Sequence, residues 1–255
     1  MLALIAALSL LAAACDRVEE VLDPPTRTGN GGGGGGGDGG SQPDVDDTGP
    51  VGSAGVALLS PDVGAAQIEV DHSEGQSLSG TASDALASAL GEHGEKDVSF
   101  AEEGTVPSQD VYTAEDLTGL AAAHRGTPSR DGTVAVYVLV LGGRFENESA
   151  LGVAFSATAF AIFPERIRSA LLAGAFYEGF ETAVTVHELG HLFGLVNLTG
   201  KGAFHEDPQH PGHSNNDTSV MFWAVEDVSI GNVFRGGPPR EFDDADRREM
   251  DAIRG

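Results

Sequence analysis

Cysteine occurs once in this 255-residue chain, at Cys15, so no disulfide can form within it and the core must hold by packing alone. Lysine is almost as scarce, at Lys96 and Lys201. The net charge is −25, of which −6 falls between Asp16 and Gly55, leaving −19 on the remainder. So large an acidic excess argues against nucleic acid or an anionic lipid surface as a partner. It keeps the exterior solvated and is also compatible with a high-salt habitat. Long apolar stretches are missing too: Leu2–Ala14 has thirteen residues, too few to span a bilayer. There is no internal repeat and no Gly-x-Ser-x-Gly elbow, and the glycine run at 31–37 lacks the Gly-Lys-Ser/Thr of a phosphate loop.

What is present begins with that short apolar run, which ends in alanines and meets the cysteine as "LAAAC". It reads as the hydrophobic region of an export signal, although no Lys or Arg precedes it. "LAAAC" resembles a bacterial or archaeal lipobox, in which cleavage ahead of the cysteine leaves Cys15 to be lipidated. The expected product is an exported cell-envelope lipoprotein, on the periplasmic or extracellular face, anchored to the membrane through Cys15 and left with no thiol nucleophile. Residues 16–55, rich in Gly, Pro and Asp, cannot bury enough apolar surface to offset their ordering entropy and read as a flexible tether. The expected division is 1–15 signal and lipobox, 16–55 tether, and 56–255 a single catalytic domain, read as a monomer.

Within that domain "AAQIEVDHSEG" (65–75) alternates like a strand, and "SDALASALGEHG" has Leu86 and Leu90 at helical spacing, with Ser83 or Thr81 as N-cap. A second strand is expected around "KDVSFAEE". "TAEDLTGLAAAHRG" opens on Thr113 with Asp116 three residues later, a variant capping box. "GTVAVYVLVLGG" reads as a buried central strand, and "GVAFSATAFAIF" as an edge strand stopping at Pro164. The order β-α-β-α-β-β-α predicts an α/β sandwich in which a mixed, twisted sheet packs on helices with its edge strand over the cleft. A weakly periodic segment of Gly, Pro, His, Asn and Asp then precedes a terminal helix, "REFDDADRREMDAIRG".

Chemistry concentrates in "TAVTVHELGHLFGLVNLTG" (182–200). On a helix His187 and His191 are four apart and share a face, so both can direct a ring nitrogen at one ion, while Glu188 projects beside it as a base for a metal-activated water. Val184, Leu192 and Leu195 are packing residues, and Gly194 stops the helix. The loop "AFHEDPQHPGHSNND" supplies His205, His210 and His213 as candidates for a third ligand, with His213 favoured because it lies nearest Met221. His205 or His210 can instead join Glu206 or Asp207 at a second, structural ion. His72, His93 and His124 have no ligand spacing, and Tyr137 and Tyr177 are candidate oxyanion partners without supporting geometry.

"HELGHLFG" resembles the zincin metallopeptidases, and His-Glu-x-x-His-x-x-Gly is the opening of the metzincin signature. "SVMFW" around Met221 is similar to the methionine turn of that group. From His187 to Met221 the chain is similar to zinc-dependent lipoprotein peptidases of bacteria and archaea. The resemblance implies a zincin-like α/β fold, a methionine turn beneath a catalytic Zn2+, and hydrolysis of peptide or protein substrates with Glu188 as base. Two departures stand out: Ser214 and Ser219 replace cysteines of that group, and Asn197 stands where metzincins carry His or Asp. An amide is a weak zinc ligand, so Asn197 is an alternative ligand chiefly suited to closing the helix in a left-handed turn. The rival expectations are a non-catalytic zinc-binding surface lipoprotein with a closed four-ligand site, and an adhesion domain whose histidines hold no metal.

Overall fold

The computed structural model describes residues 45–130, 132–171, 177–200, 205–234 and 237–255; Cys15, the run before it and the tether up to residue 44 lie outside the described residues. In chain order the elements are α1 (Gly55–Leu59), β1 (Ala65–Ser73), α2 (Gly80–Gly94), β2 (Asp97–Phe100), β3 (Gly104–Val106), β4 (Val111–Tyr112), α3 (Ala114–His124), β5 (Thr133–Val140) and β6 (Arg144–Phe145). They continue with β7 (Gly152–Ser156), β8 (Ala159–Ile162), α4 (Pro164–Ala170), α5 (Tyr177–Phe193), β9 (Glu206–Asp207), β10 (His210–Ser214), α6 (Ile230–Val233) and α7 (Asp244–Arg254). The main sheet runs β2-β1-β5-β8-β7, with β3 following β2 along β1. Pairings are parallel except between β7 and β8, which makes the sheet mixed, with an antiparallel strand at its edge.

β5 explains why its segment reads as unbroken hydrophobicity. Val134, Val136, Val138 and Val140 enter the core formed with α2 and α5, while Tyr137 and Leu139 enter the opposite layer with Leu117 of α3. A strand alternates its side chains, so one covered on both faces must be apolar at every position. α5 packs against α2 on the first face. α3 keeps the capping box expected at Thr113 and Asp116.

Three expectations change. The cap of α2 is Ser79, whose hydroxyl accepts from Ala82 N, so the helix starts ahead of both Thr81 and Ser83. "GVAFSATAFAIF" is a hairpin, β7 and β8, and β7 alone is the edge. No Gly, Pro or Asn marks its reversal; Ala157 N donates to Gly49 O, and Thr158 Oγ1 donates to Asp47 Oδ1. Residues 45–55, which composition groups with the tether, belong to the packed unit for the same reason. Asp47 accepts from Ser129 N and Oγ at 2.8 and 2.6 Å and pairs with Arg125 at 3.2 Å. The polar contacts of Asp47, together with the burial of Ala54 and the packing of Val45 on the core, order this stretch.

Arg125 and Asp47 retain only 11% and 14% side-chain exposure. Asp47→Ala leaves that guanidinium without its carboxylate and should lower unfolding stability by about 3 kcal/mol. Asp84→Ala, at an exposed position of α2, should fall within about 0.5 kcal/mol of the parent. Urea midpoints decide this, and equal midpoints for the two variants would show that residues 45–55 contribute no stability.

Candidate metal centre

The centre is built on α5, whose residues from Phe180 to Phe193 are all buried. A helix enclosed on every side shows no amphipathic stripe, and its polar residues must be satisfied internally or by a ligand. His187 and His191 turn their Nε2 atoms toward each other at 3.1 Å. His187 Nδ1 donates to Val220 O at 2.7 Å, and because a carbonyl only accepts, Nε2 keeps its lone pair. α5 ends where Gly194, at φ 81°, donates to His191 O while Leu195 N donates to Gly190 O, a paired closure that a left-handed glycine permits.

The third imidazole arrives from the segment beyond. β9 and β10 pair antiparallel with a register shift, and Ser214 N donates to Met221 O, fixing β10 beside the turn that holds Met221. His213 thereby stacks on His187 at 5.3 Å between ring centroids, and its Nδ1 donates to Pro211 O. Glu226, which no sequence motif signalled, completes the group. Its carboxylate lies 3.0 Å from His213 Nε2, 3.6 Å from His187 Nε2 and 4.0 Å from His191 Nε2. Among the described residues these four form the one group of three or more ligating side chains able to hold a metal ion.

The donor set fits a divalent cation. Four ligands about 2.0–2.1 Å from a tetrahedral ion stand roughly 3.3–3.4 Å apart, within the range of the separations found. Electrostatics agrees: burial, then the neighbouring His187 and His213, hold His191 well below the usual imidazole range, so it is a neutral donor. Burial opposes ionisation of Glu226, but His213 and His187 outweigh it and keep the carboxyl well below its ordinary value. A metal binds neutral imidazoles and an ionised carboxylate, so His213, whose pKa Glu226 raises against the effect of burial, gives up its proton when an ion enters.

Glu188 lies beside this group, fully buried. Neither carboxylate oxygen meets a donor with good hydrogen-bond geometry. Burial and then the charge of Glu226 push its pKa well up, opposed by the Ala154 backbone amide. It faces Gly152 at the start of β7, where an added Cβ would stand 2.5 Å from Glu188 Oε1. A second glycine serves Met221: a Cβ at Gly190 would stand 2.2 Å from Met221 Sδ, so the buried methionine presses directly on α5 between the two histidines.

The other candidates go elsewhere. His205 Nε2 bonds Glu249 at 2.7 Å, and His210 bonds Asp207 at 2.8 Å while stacking on Trp223 at 4.3 Å. Asn197 is left-handed at φ 69°, its side chain donates to Glu206, and its backbone N–H donates to Glu249. No second group that would hold an ion forms around Glu206 or Asp207 among the described residues. Tyr137 donates to Asp71 and Tyr177 to Glu181, so each hydroxyl is already engaged.

His213→Ala should therefore weaken divalent metal uptake by more than the roughly 10–100-fold typical of outer-shell changes. Asn197→Ala should leave uptake near the parent, because the backbone amide and not the side chain meets Glu249. Metal stoichiometry after dialysis separates them; a site emptied by Asn197→Ala and retained by His213→Ala would reverse the assignment.

No family model matches the chain, and no curated protein is similar to it. Solved structures similar to it include an archaemetzincin from Methanopyrus kandleri, at 15% identity over 75% of this chain and 96% of that one, with a TM-score of 0.48. Another is a zinc-dependent peptidase from Methanocorpusculum labreanum, at 18% identity over 72% and 99%, TM-score 0.47. An archaemetzincin from Archaeoglobus fulgidus, complexed with malonate, aligns at 17% identity over 72% and 99%, TM-score 0.43.

Proposed function

We propose that the chain is a zinc-dependent endopeptidase, exported and held at a membrane by a lipid on Cys15. Glu188 carries the catalytic part of this reading: a fully buried carboxylate with no well-aligned hydrogen-bond donor, next in sequence to His187 and beside three imidazoles. Burying such a group costs several kcal/mol by itself, so its place needs a compensating role. Zinc held by His187, His191 and His213 would polarise a scissile carbonyl and lower the pKa of an attacking water to about 7. Glu188 would then take the proton of that water and deliver it to the leaving amine. Met221, under Gly190, serves as the methionine turn beneath the histidine pair. β7, as the sheet edge, offers main-chain groups to an extended peptide.

One observation favours a second reading, in which the site is closed and holds zinc without catalysis: Glu226 makes a fourth donor. Cleavage of a peptide library, abolished by a chelator and restored by zinc, decides between them. Glu188→Gln should keep its zinc and lose about 10²-fold or more in turnover. Turnover within about tenfold of the parent would remove Glu188 from the mechanism.

The anchor rests on sequence alone. Among the described residues no helix is long and apolar enough to cross a membrane. Cys15→Ser should move the protein from the membrane fraction to the soluble fraction, and continued sedimentation after a salt wash would sink the lipid anchor.

A further inference from the structure

Glu226 stands where a hydrolytic metal site keeps its open position. We infer that Glu226 is a displaceable fourth ligand: its carboxylate closes the metal site in the resting protein and must turn away to admit a neutral oxygen donor, water or a peptide carbonyl. The inference rests on the zinc-peptidase reading and specifies how that site is regulated.

Three observations carry it. The carboxylate faces all three imidazoles, with Oε1 3.0 Å from His213 Nε2 and Oε2 3.6 and 4.0 Å from the Nε2 atoms of His187 and His191. A group merely nearby would pair with one ring; this one meets three. Glu226 is also the most exposed member of the group, with its side chain 26% exposed against 0% for His187, 11% for His191 and 8% for His213. The ligand that can leave is thus the one most open to water. Finally, the backbone around it is held. Leu151 N donates to Glu226 O at 2.7 Å, Asp227 bridges Ala150, and Val228 N donates to Ser149 O at 2.9 Å.

That pinning limits the movement to side-chain torsions, which cost little and occur rapidly at a partly exposed residue. The same pairing lays residues 226–228 along the segment that leads into β7, the strand whose start faces Glu188. One short stretch of chain therefore covers the metal site with its side chain and the approach to the sheet edge with its backbone.

The exchange is a ligand substitution without bond cleavage in the protein: one carboxylate oxygen leaves and one neutral oxygen donor enters. A competing internal ligand scales the apparent affinity for an external one by the fraction of time it leaves the site open. The measurement uses the full chain loaded with Co2+, whose visible absorption reports coordination number, and acetohydroxamate as external ligand. The parent should take up an equimolar amount of Co2+, show a four-coordinate spectrum and bind acetohydroxamate weakly. Glu226→Gln should keep the Co2+, shift the spectrum toward higher coordination as water enters, and bind acetohydroxamate at least about tenfold more tightly. Glu226→Asp, which keeps the charge but shortens the reach, serves as a second variant should the first fail to fold, and should shift the same way.

An unchanged spectrum and unchanged acetohydroxamate affinity in a folded variant would overturn the inference while leaving the zinc site intact. Complete loss of Co2+ from a folded Glu226→Gln protein would overturn it too, by making the carboxylate a permanent structural ligand. Failure of the folded parent to take up Co2+ at all would instead remove the metal reading on which the inference stands.

Discussion

Three imidazole nitrogens and a carboxylate facing one another at 3.0–4.0 Å, two of the rings on a helix sealed from solvent, make a stable arrangement chiefly around a cation. Without a cation, the facing Nε2 atoms of His187 and His191 need a proton between them, and the adjoining buried carboxyl of Glu188 is driven toward its protonated form. A divalent ion resolves both costs at once. Much of the surrounding structure keeps these groups dry and aimed: α2 and the sheet cover α5, Val220 O sets the tautomer of His187, and Met221 fills the space that Gly190 leaves open.

α7 braces the same assembly from behind. Val196 and Asn197 both lie in the left-handed region, at φ 53° and 69°, and for a β-branched valine this costs about 1–3 kcal/mol. The turn directs both backbone N–H groups at the buried carboxylate of Glu249, at 2.8 and 2.9 Å. Glu249 also receives His205, where the segment that carries His213 begins. Burial alone would discharge His205, but the Glu249 hydrogen bond and the neighbouring Asp246 hold its pKa up. Asp246, pushed by burial to about 6, accepts from Ser219 Oγ at 2.6 Å, and Ser219 in turn accepts from Met221 N. Ser214 and Ser219 are thus both tied to the Met221 turn by hydrogen bonds. A chain with a single cysteine holds this segment through buried acids and hydroxyls.

Local rules made several elements legible. The capping box of α3, the doubly covered β5 and the helix carrying His187 and His191 follow from spacings of a few residues. Composition failed where a polar side chain did the ordering: Asp47 draws the end of the apparent tether onto Arg125, Ser129 and Thr158, and so also sets the β7 to β8 reversal. Average hydrophobicity cannot register one well-placed carboxylate.

The sequence by itself determined the pair His187 and His191, the adjacent Glu188 and the stop at Gly194, because helical geometry converts those intervals directly into positions in space. It also narrowed the further histidines to one loop and favoured His213 there by its nearness to Met221. The tertiary structure decided that His213 faces the pair, that His205 and His210 serve Glu249 and Asp207, and that Glu226 joins the centre. Those outcomes depend on the pairing of β9 with β10, the bond from Ser214 to Met221 and the bridge from Asp227 to Ala150. Each joins residues by backbone groups that every amino acid but proline carries, so residue identities give almost no sign of where such contacts close.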